Sequence, residues 1–97
     1  MSNMAEIIEI PAKTAITILE TEQPSLSDSV KQSLDNYFAQ LEGQQPSNVY
    51  QIVMELVELP LLLKVMEFTS NNQSRAAKVL DLSRGTLRKK LKLYDLL

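Results

Sequence analysis

Between Val49 and Phe68 this chain carries fourteen apolar residues in twenty, with Gln51, Glu55 and Glu58 as the main polar interruptions. At helical spacing such a segment is apolar on nearly every side, so it must be covered on nearly every side. The chain has 97 residues, 44% hydrophobic and 23% charged, which is ordinary globular material for one small domain. A monomer of this length buries only roughly two thirds of its unfolded surface. One other long helix cannot cover residues 48–68. A second copy of the chain can, and the sequence therefore predicts a homodimer whose paired helices form a four-helix core. Pro60 lies inside this helix, removes one backbone hydrogen bond and is expected to kink it. Ser47 is the expected N-cap.

The second core helix is legible upstream. Leu26, Val30, Leu34, Tyr37, Phe38 and Leu41 recur at spacings of 4, 4, 3, 1 and 3, one face of an amphipathic helix over about residues 26–42. Ser25 with Asp28 three residues later resembles a capping box, and Ser27 is a rival cap. Gly43 is a natural stop. Residues 1–24 read differently. Ile7-Ile8-Glu9-Ile10 and Ala15-Ile16-Thr17-Ile18-Leu19 are rich in β-branched residues and flank Pro11, the pattern of a short hairpin. An isolated hairpin is barely stable in water, so the expectation is a mobile β-hairpin-like arm or an unstructured N-terminus.

Cysteine and histidine are both absent. That excludes a disulfide framework, a thiolate nucleophile, a cysteine-ligated metal and the commonest general base. No nucleophile–base pair remains to support an enzyme, and no metal or cofactor is expected. The start, MSNMAEIIEI, has no basic n-region, and no apolar run is long enough to span a bilayer. The expectation is a cytoplasmic protein without a membrane contact.

The formal net charge of −2 conceals two opposed halves. Residues 1–69 hold three lysines against ten acids, a balance of −7. Residues 70–97 hold seven bases, including all three arginines, against Asp81 and Asp95, a balance of +5. A basic segment on an acidic body is the footprint of a polyanion partner.

Inside that segment the pattern is specific. Thr69-Ser70-Asn71-Asn72 breaks the preceding helix and offers a cap. Gln73 to Leu80 can form a short helix whose Ala76 and Ala77 allow close packing. Asp81 falls where a tight turn needs a left-handed backbone, which Asp tolerates less well than Gly. Leu82 is expected to plug the junction, and Ser83 to cap a last helix over about residues 84–94. At about 100° per residue, Leu87, Leu91 and Tyr94 share one face of that helix, while Arg84, Arg88, Lys92, Gly85 and Lys89 spread over the other. Thr86 and Lys90 lie farther round. Leu93 sits away from the apolar face without an evident reason. A short helix, a tight turn and a basic helix without acids are what a helix-turn-helix requires. The resulting organisation is a 1–24 arm, 25–68 dimerisation helices and a 69–97 helix-turn-helix segment, all-α apart from the arm.

Two strings, SLSDSVKQSLDNYFAQLEGQ at 25–44 and NNQSRAAKVLDLSRGTLRKKLK at 71–92, closely resemble the bacterial Fis family, with Pro60 also at its expected place. The RGTLRKKL string at 84–91 is the most specific part. It is also similar to the DNA-binding segment of nitrogen-regulatory activators, but those carry an ATPase domain and no phosphate loop is found here. The resemblance runs from about Pro24 onward.

It implies a homodimeric, nucleoid-associated protein that binds A/T-rich, bendable double-stranded DNA, curves it, regulates transcription and assists site-specific recombination through recombinase or RNA polymerase contacts. Specificity in such proteins is read largely through DNA deformability. By matching positions, the resemblance puts Ser83 and Arg84 at base edges. It puts Asn72, Ser74, Arg75, Thr86 and Lys89 at phosphates, and Arg88, Lys90 and Lys92 on the backbone or flanking DNA. Three departures stand out. Ser83 replaces the family's Asn, Leu93 replaces a basic residue, and the arm before Pro24 matches little. A second reading keeps the helical dimer but makes it an interaction module acting through protein partners, with DNA secondary.

Overall fold

The computed structural model describes residues 9–97. Five helices and no strand are found among them, which is the all-α class expected. Two units are distinguished, one ending at Pro46 and one running from Ser47 to Leu97.

In the first unit, α1 spans Ala12–Thr21 and α2 spans Leu26–Ala39. The second strand of the expected hairpin, Ala15 to Leu19, is thus helix; Ile7 and Ile8 of the first lie outside the described residues. The β-branched residues gave the wrong signal for a physical reason. Their helix penalty is only a few tenths of a kcal/mol each. Pro11 opens the helix with φ −63°, and its carbonyl accepts the Ala15 N–H at 3.0 Å. The Thr17 and Thr21 hydroxyls donate to the Lys13 and Ile18 carbonyls at 3.0 and 3.1 Å, so the threonines are satisfied within the turn. Ser25 caps α2 by accepting the Asp28 N–H at 3.1 Å. Ser27, its rival, instead ties α2 to α1: its N–H donates to Glu20 Oε1 at 3.2 Å, and its hydroxyl donates to Glu20 Oε2. α2 ends three residues short of the expected Glu42: Gln40, at φ −101° and ψ 7°, already leaves the helix, and Glu42 and Gly43 beyond it take positive φ, 50° and 84°. Neither helix contains a buried residue.

In the second unit, α3 spans Val49–Phe68, α4 Gln73–Leu80 and α5 Arg84–Leu93. α3 continues through Pro60. Ser47 does not cap it. Asn48 occupies that position in the left-handed region, φ 59° and ψ 25°, without a side-chain cap bond, a conformation Asn tolerates better than most residues.

All three helices end in the same motif. After α3, the N–H groups of Asn71 and Ser70 return to the carbonyls of Met66 and Glu67 at 2.7 and 3.1 Å. After α4, Leu82 and Asp81 return to Ala77 and Lys78 at 2.9 and 3.1 Å. After α5, Leu96 and Asp95 return to Leu91 and Lys92 at 2.7 and 3.1 Å. This is the Schellman pairing, which satisfies carbonyls a helix end otherwise leaves open. Its left-handed position is held by Ser70, Asp81 and Asp95, at φ 53°, 58° and 57°.

The core of this unit is Leu62 of α3, Ala76 and Ala77 of α4, and Leu87 and Leu91 of α5, with Val65, Met66, Leu80, Tyr94 and Leu96 packed against it. The two alanines let α4 approach closely, as their size predicts. Leu82 is half-buried at the junction. Thr69 is buried with its hydroxyl donating to Val65 O at 2.9 Å. Much of the rest of α3 stays exposed within one chain. Tyr50, Leu56 and Phe68 are 79%, 69% and 68% exposed, and Ile52, Met54, Leu61 and Leu63 are exposed as well.

Candidate nucleic-acid interface

The two short helices are fixed at their starts by side-chain caps, one from the polar 69–72 stretch and one from Ser83 as expected. Asn72 Oδ1 accepts the Arg75 N–H at 3.0 Å, opening α4. Ser83 Oγ accepts the Thr86 N–H at 3.1 Å, opening α5, and donates to Thr86 Oγ1 at 2.9 Å. Each cap satisfies an orphan donor of the first turn and is worth about 1 kcal/mol. Between them, Asp81 turns the chain in the left-handed conformation expected of it.

α5 is divided by its burial. Leu87 and Leu91 are fully buried, at 0% and 1% exposure. Burying each contributes about 1.5–3 kcal/mol, which pins the inward half of the helix. The outward half is left to solvent: Arg84, Thr86, Arg88, Lys89 and Lys92 are all exposed. On α4, Asn72, Ser74 and Arg75 are exposed too, as is Ser83 between the helices. Nine of the ten nominated residues thus lie in solvent reach on α4, α5 and the turn joining them.

Lys90 is the tenth, and the structure turns it elsewhere. It is half-buried, and its Nζ donates to Glu58 Oε2 of α3 at 2.7 Å. The Tyr94 hydroxyl donates to the other carboxylate oxygen, Glu58 Oε1, also at 2.7 Å. Lys90 and Tyr94 lie one turn apart and so share an edge of α5. Together they grip one carboxylate. The hydrogen bonds from Lys90 and Tyr94 lower the Glu58 pKa from its ordinary 4.5. The negative acceptor and partial desolvation push the Tyr94 phenol up to about 12.

Two further residues position the basic face without having been nominated from sequence. Gln73 Oε1, on the first residue of α4, accepts from Arg88 Nη1 at 2.6 Å. The Arg75 guanidinium stands 5.5 Å from the centroid of the Phe68 ring, within cation–π range. These partners are 15, 32 and 36 positions apart for Arg88–Gln73, Lys90–Glu58 and Tyr94–Glu58. No local pattern marks them, and only the packing of α3, α4 and α5 brings them together.

Gly85 sits on the outward face among these cations. A β-carbon built on it meets nothing within 4 Å, and its φ is not positive. Gly85 is the second residue of α5, and Gly is a poorer helix former than Ala.

Among the described residues no group of acidic side chains is arranged to hold a metal ion, and no helix is long and apolar enough to cross a membrane.

Two helices clasped at a tight turn, with the second buried on one side and cationic on the other, define a helix-turn-helix protein. Comparison with known proteins makes the assignment specific. Residues 53–94 match the model of the bacterial regulatory protein, Fis family. Residues 1–46 match that of the DNA-binding protein Fis N-terminal domain, so the likeness extends upstream of Pro24, where the motif strings had ended. The chain is 57% identical over 74 residues to the DNA-binding protein Fis of Yersinia enterocolitica and to that of an Enterobacter strain. It is 55% identical to the one from Proteus mirabilis. Each alignment covers 76% of both chains. The chain belongs to the Fis family.

Proposed function

We propose that this chain binds duplex DNA as a homodimer, lays α5 of each subunit in a major groove, curves the duplex between them and thereby regulates transcription. One observation carries the reading. α5 buries Leu87 and Leu91 and turns Arg84, Arg88, Lys89 and Lys92 outward, and none of those four pairs with a carboxylate among the described residues. An unneutralised cationic helix seeks polyanion charge. The name shared by the relatives, DNA-binding protein Fis, agrees with it.

In this reading Ser83 and Arg84 face base edges, at the start of the recognition helix where side chains reach the groove. Asn72, Ser74, Arg75, Thr86 and Lys89 hold phosphates, with Arg88 and Lys92 on the backbone. The Asn72 carbonyl is spent on the cap, which leaves its amide N–H2 to donate to phosphate. Lys90, expected with Arg88 and Lys92 on the backbone or flanking DNA, is gripped by Glu58 and in this reading positions α5. Dimerisation is supported by the apolar surface that α3 leaves uncovered in one chain. A DNA target makes the nucleoid the place of action.

A mobility-shift series at fixed salt, on curved A/T-rich against stiff G·C-rich duplexes, tests binding and readout together. Tighter binding to the curved set is expected. No shift with either set overturns the proposal, and equal affinity for both overturns shape readout. Contact with a recombinase or RNA polymerase is a separate part of the reading. Deleting residues 1–22 should spare DNA affinity and abolish any stimulation of recombination.

A further inference from the structure

We infer that Gly85 is the point of closest approach between α5 and the DNA backbone, a position kept without a side chain for the ligand and not for the fold. The inference rests on the DNA-binding reading above and adds a residue to it.

Three explanations internal to the chain fail. The backbone does not require glycine, since the φ of Gly85 is not positive and any L-residue adopts it. Packing does not require it, since a β-carbon there meets nothing within 4 Å. Helix formation opposes it, because Gly is the poorest helix former after Pro. The other glycine, Gly43, differs on the first count: it has a φ of 84°, and its place in a reversing loop accounts for it.

What remains is something outside the chain. Gly85 lies on the outward face, with Arg84 before it and Arg88 and Lys89 three and four residues on, which puts it inside a ring of exposed cations. The same basic segment of a second copy, residues 70–97 with a balance of +5, would bring like charge to that ring. A phosphodiester backbone brings the opposite charge, and the missing side chain lets it come within contact of the helix backbone. From that depth the flanking arginines and Lys89 reach their partners. A methyl group at Gly85 would hold the helix outward and lengthen every contact around it.

The test is a pair of substitutions, Gly85→Ala and Gly85→Leu, each a better helix former than glycine. Thermal unfolding is measured on the free protein, and affinity for a curved A/T-rich duplex is measured by titration beside the unsubstituted chain. The expected result is opposite signs. Thermal midpoints stay equal or rise by a few degrees, while affinity falls about tenfold for Ala and further for Leu. Unchanged affinity in Gly85→Leu overturns the inference while leaving DNA binding intact. A lowered midpoint in Gly85→Ala also overturns it, because glycine would then serve the fold. If the unsubstituted chain fails to bind the duplex, the DNA-binding reading itself fails.

Discussion

Lys90 Nζ and Glu58 Oε2 lie 2.7 Å apart and join the middle of the long apolar helix to the basic helix at the end of the chain. With Tyr94 on the second carboxylate oxygen, the grip adds to the burial of Leu87 and Leu91 in fixing the rotation of α5 about its own axis. Rotation decides which side chains face outward, so a contact on one edge of the helix governs what the opposite edge presents.

The pH dependence of this grip can be worked out at both ends. Tyr94 has a folded pKa raised from 10.0 to about 12. Its contribution to stability is therefore complete below pH 10 and is lost as pH rises toward 12. Glu58 has a folded pKa lowered below 4.5. Its contribution is complete above 4.5 and is lost as pH falls through the folded value. Thermal midpoints measured against pH should drop at both limits. Tyr94→Phe should flatten the alkaline drop and Glu58→Gln the acid one. In Glu58→Gln, absorbance titration of the tyrosinate should find the late-ionising tyrosine returned toward its ordinary range. A tyrosine that still ionises near pH 12 in that variant contradicts the grip.

Arg84→Ala should cost about 1–3 kcal/mol of binding and relax preference among sites. Lys89→Ala should weaken all duplexes about equally. Fluorescence titrations on a panel of sequences separate the two. A loss confined to particular sites in Lys89→Ala would reverse the assigned roles.

Salt provides an independent count. If about four phosphates are neutralised per subunit, log K should fall against log salt with a slope of about −7 for a dimer. Lys92→Ala should make the slope shallower by about 1, while a response flat in salt removes the electrostatic basis of binding.

Leu56 is exposed on α3, so in a lone chain Leu56→Asp would be nearly harmless. In a shared core it buries a charge without a partner, which is strongly destabilising. Circular dichroism with sedimentation decides: unfolding is expected, and a folded 11.0 kDa species would refute the shared core.

Leu87→Ala removes a fully buried side chain between α4 and α5 and should cost about 2–5 kcal/mol, read from denaturant unfolding.

Much of this was legible along the chain. Ser25 and Ser83 cap the helices they were expected to cap, and Asn72 supplies the cap expected somewhere in the 69–72 stretch, because capping depends on residues three apart. Asp81 turns where the helix-turn-helix pattern needs a left-handed residue. The inward face of α5 followed from the spacing of Leu87, Leu91 and Tyr94. The errors have equally local causes. The β-branched content of the 15–19 run points to a strand, yet propensities of tenths of a kcal/mol yield to a proline-led start and satisfied threonines. Residue type favours Ser47, but Asn48 in a left-handed turn takes the cap position.

Sequence alone determined the helix-turn-helix, its caps and its cationic helix, because periodicity and capping are set by neighbours within one or two turns. Only tertiary structure decided that Lys90 belongs to Glu58, that Gln73 holds Arg88, and that Gly85 stands in open space. Those facts depend on helices far apart in the chain meeting at fixed distances, and that geometry arises only when Leu62, Ala76, Ala77, Leu87 and Leu91 close into one core.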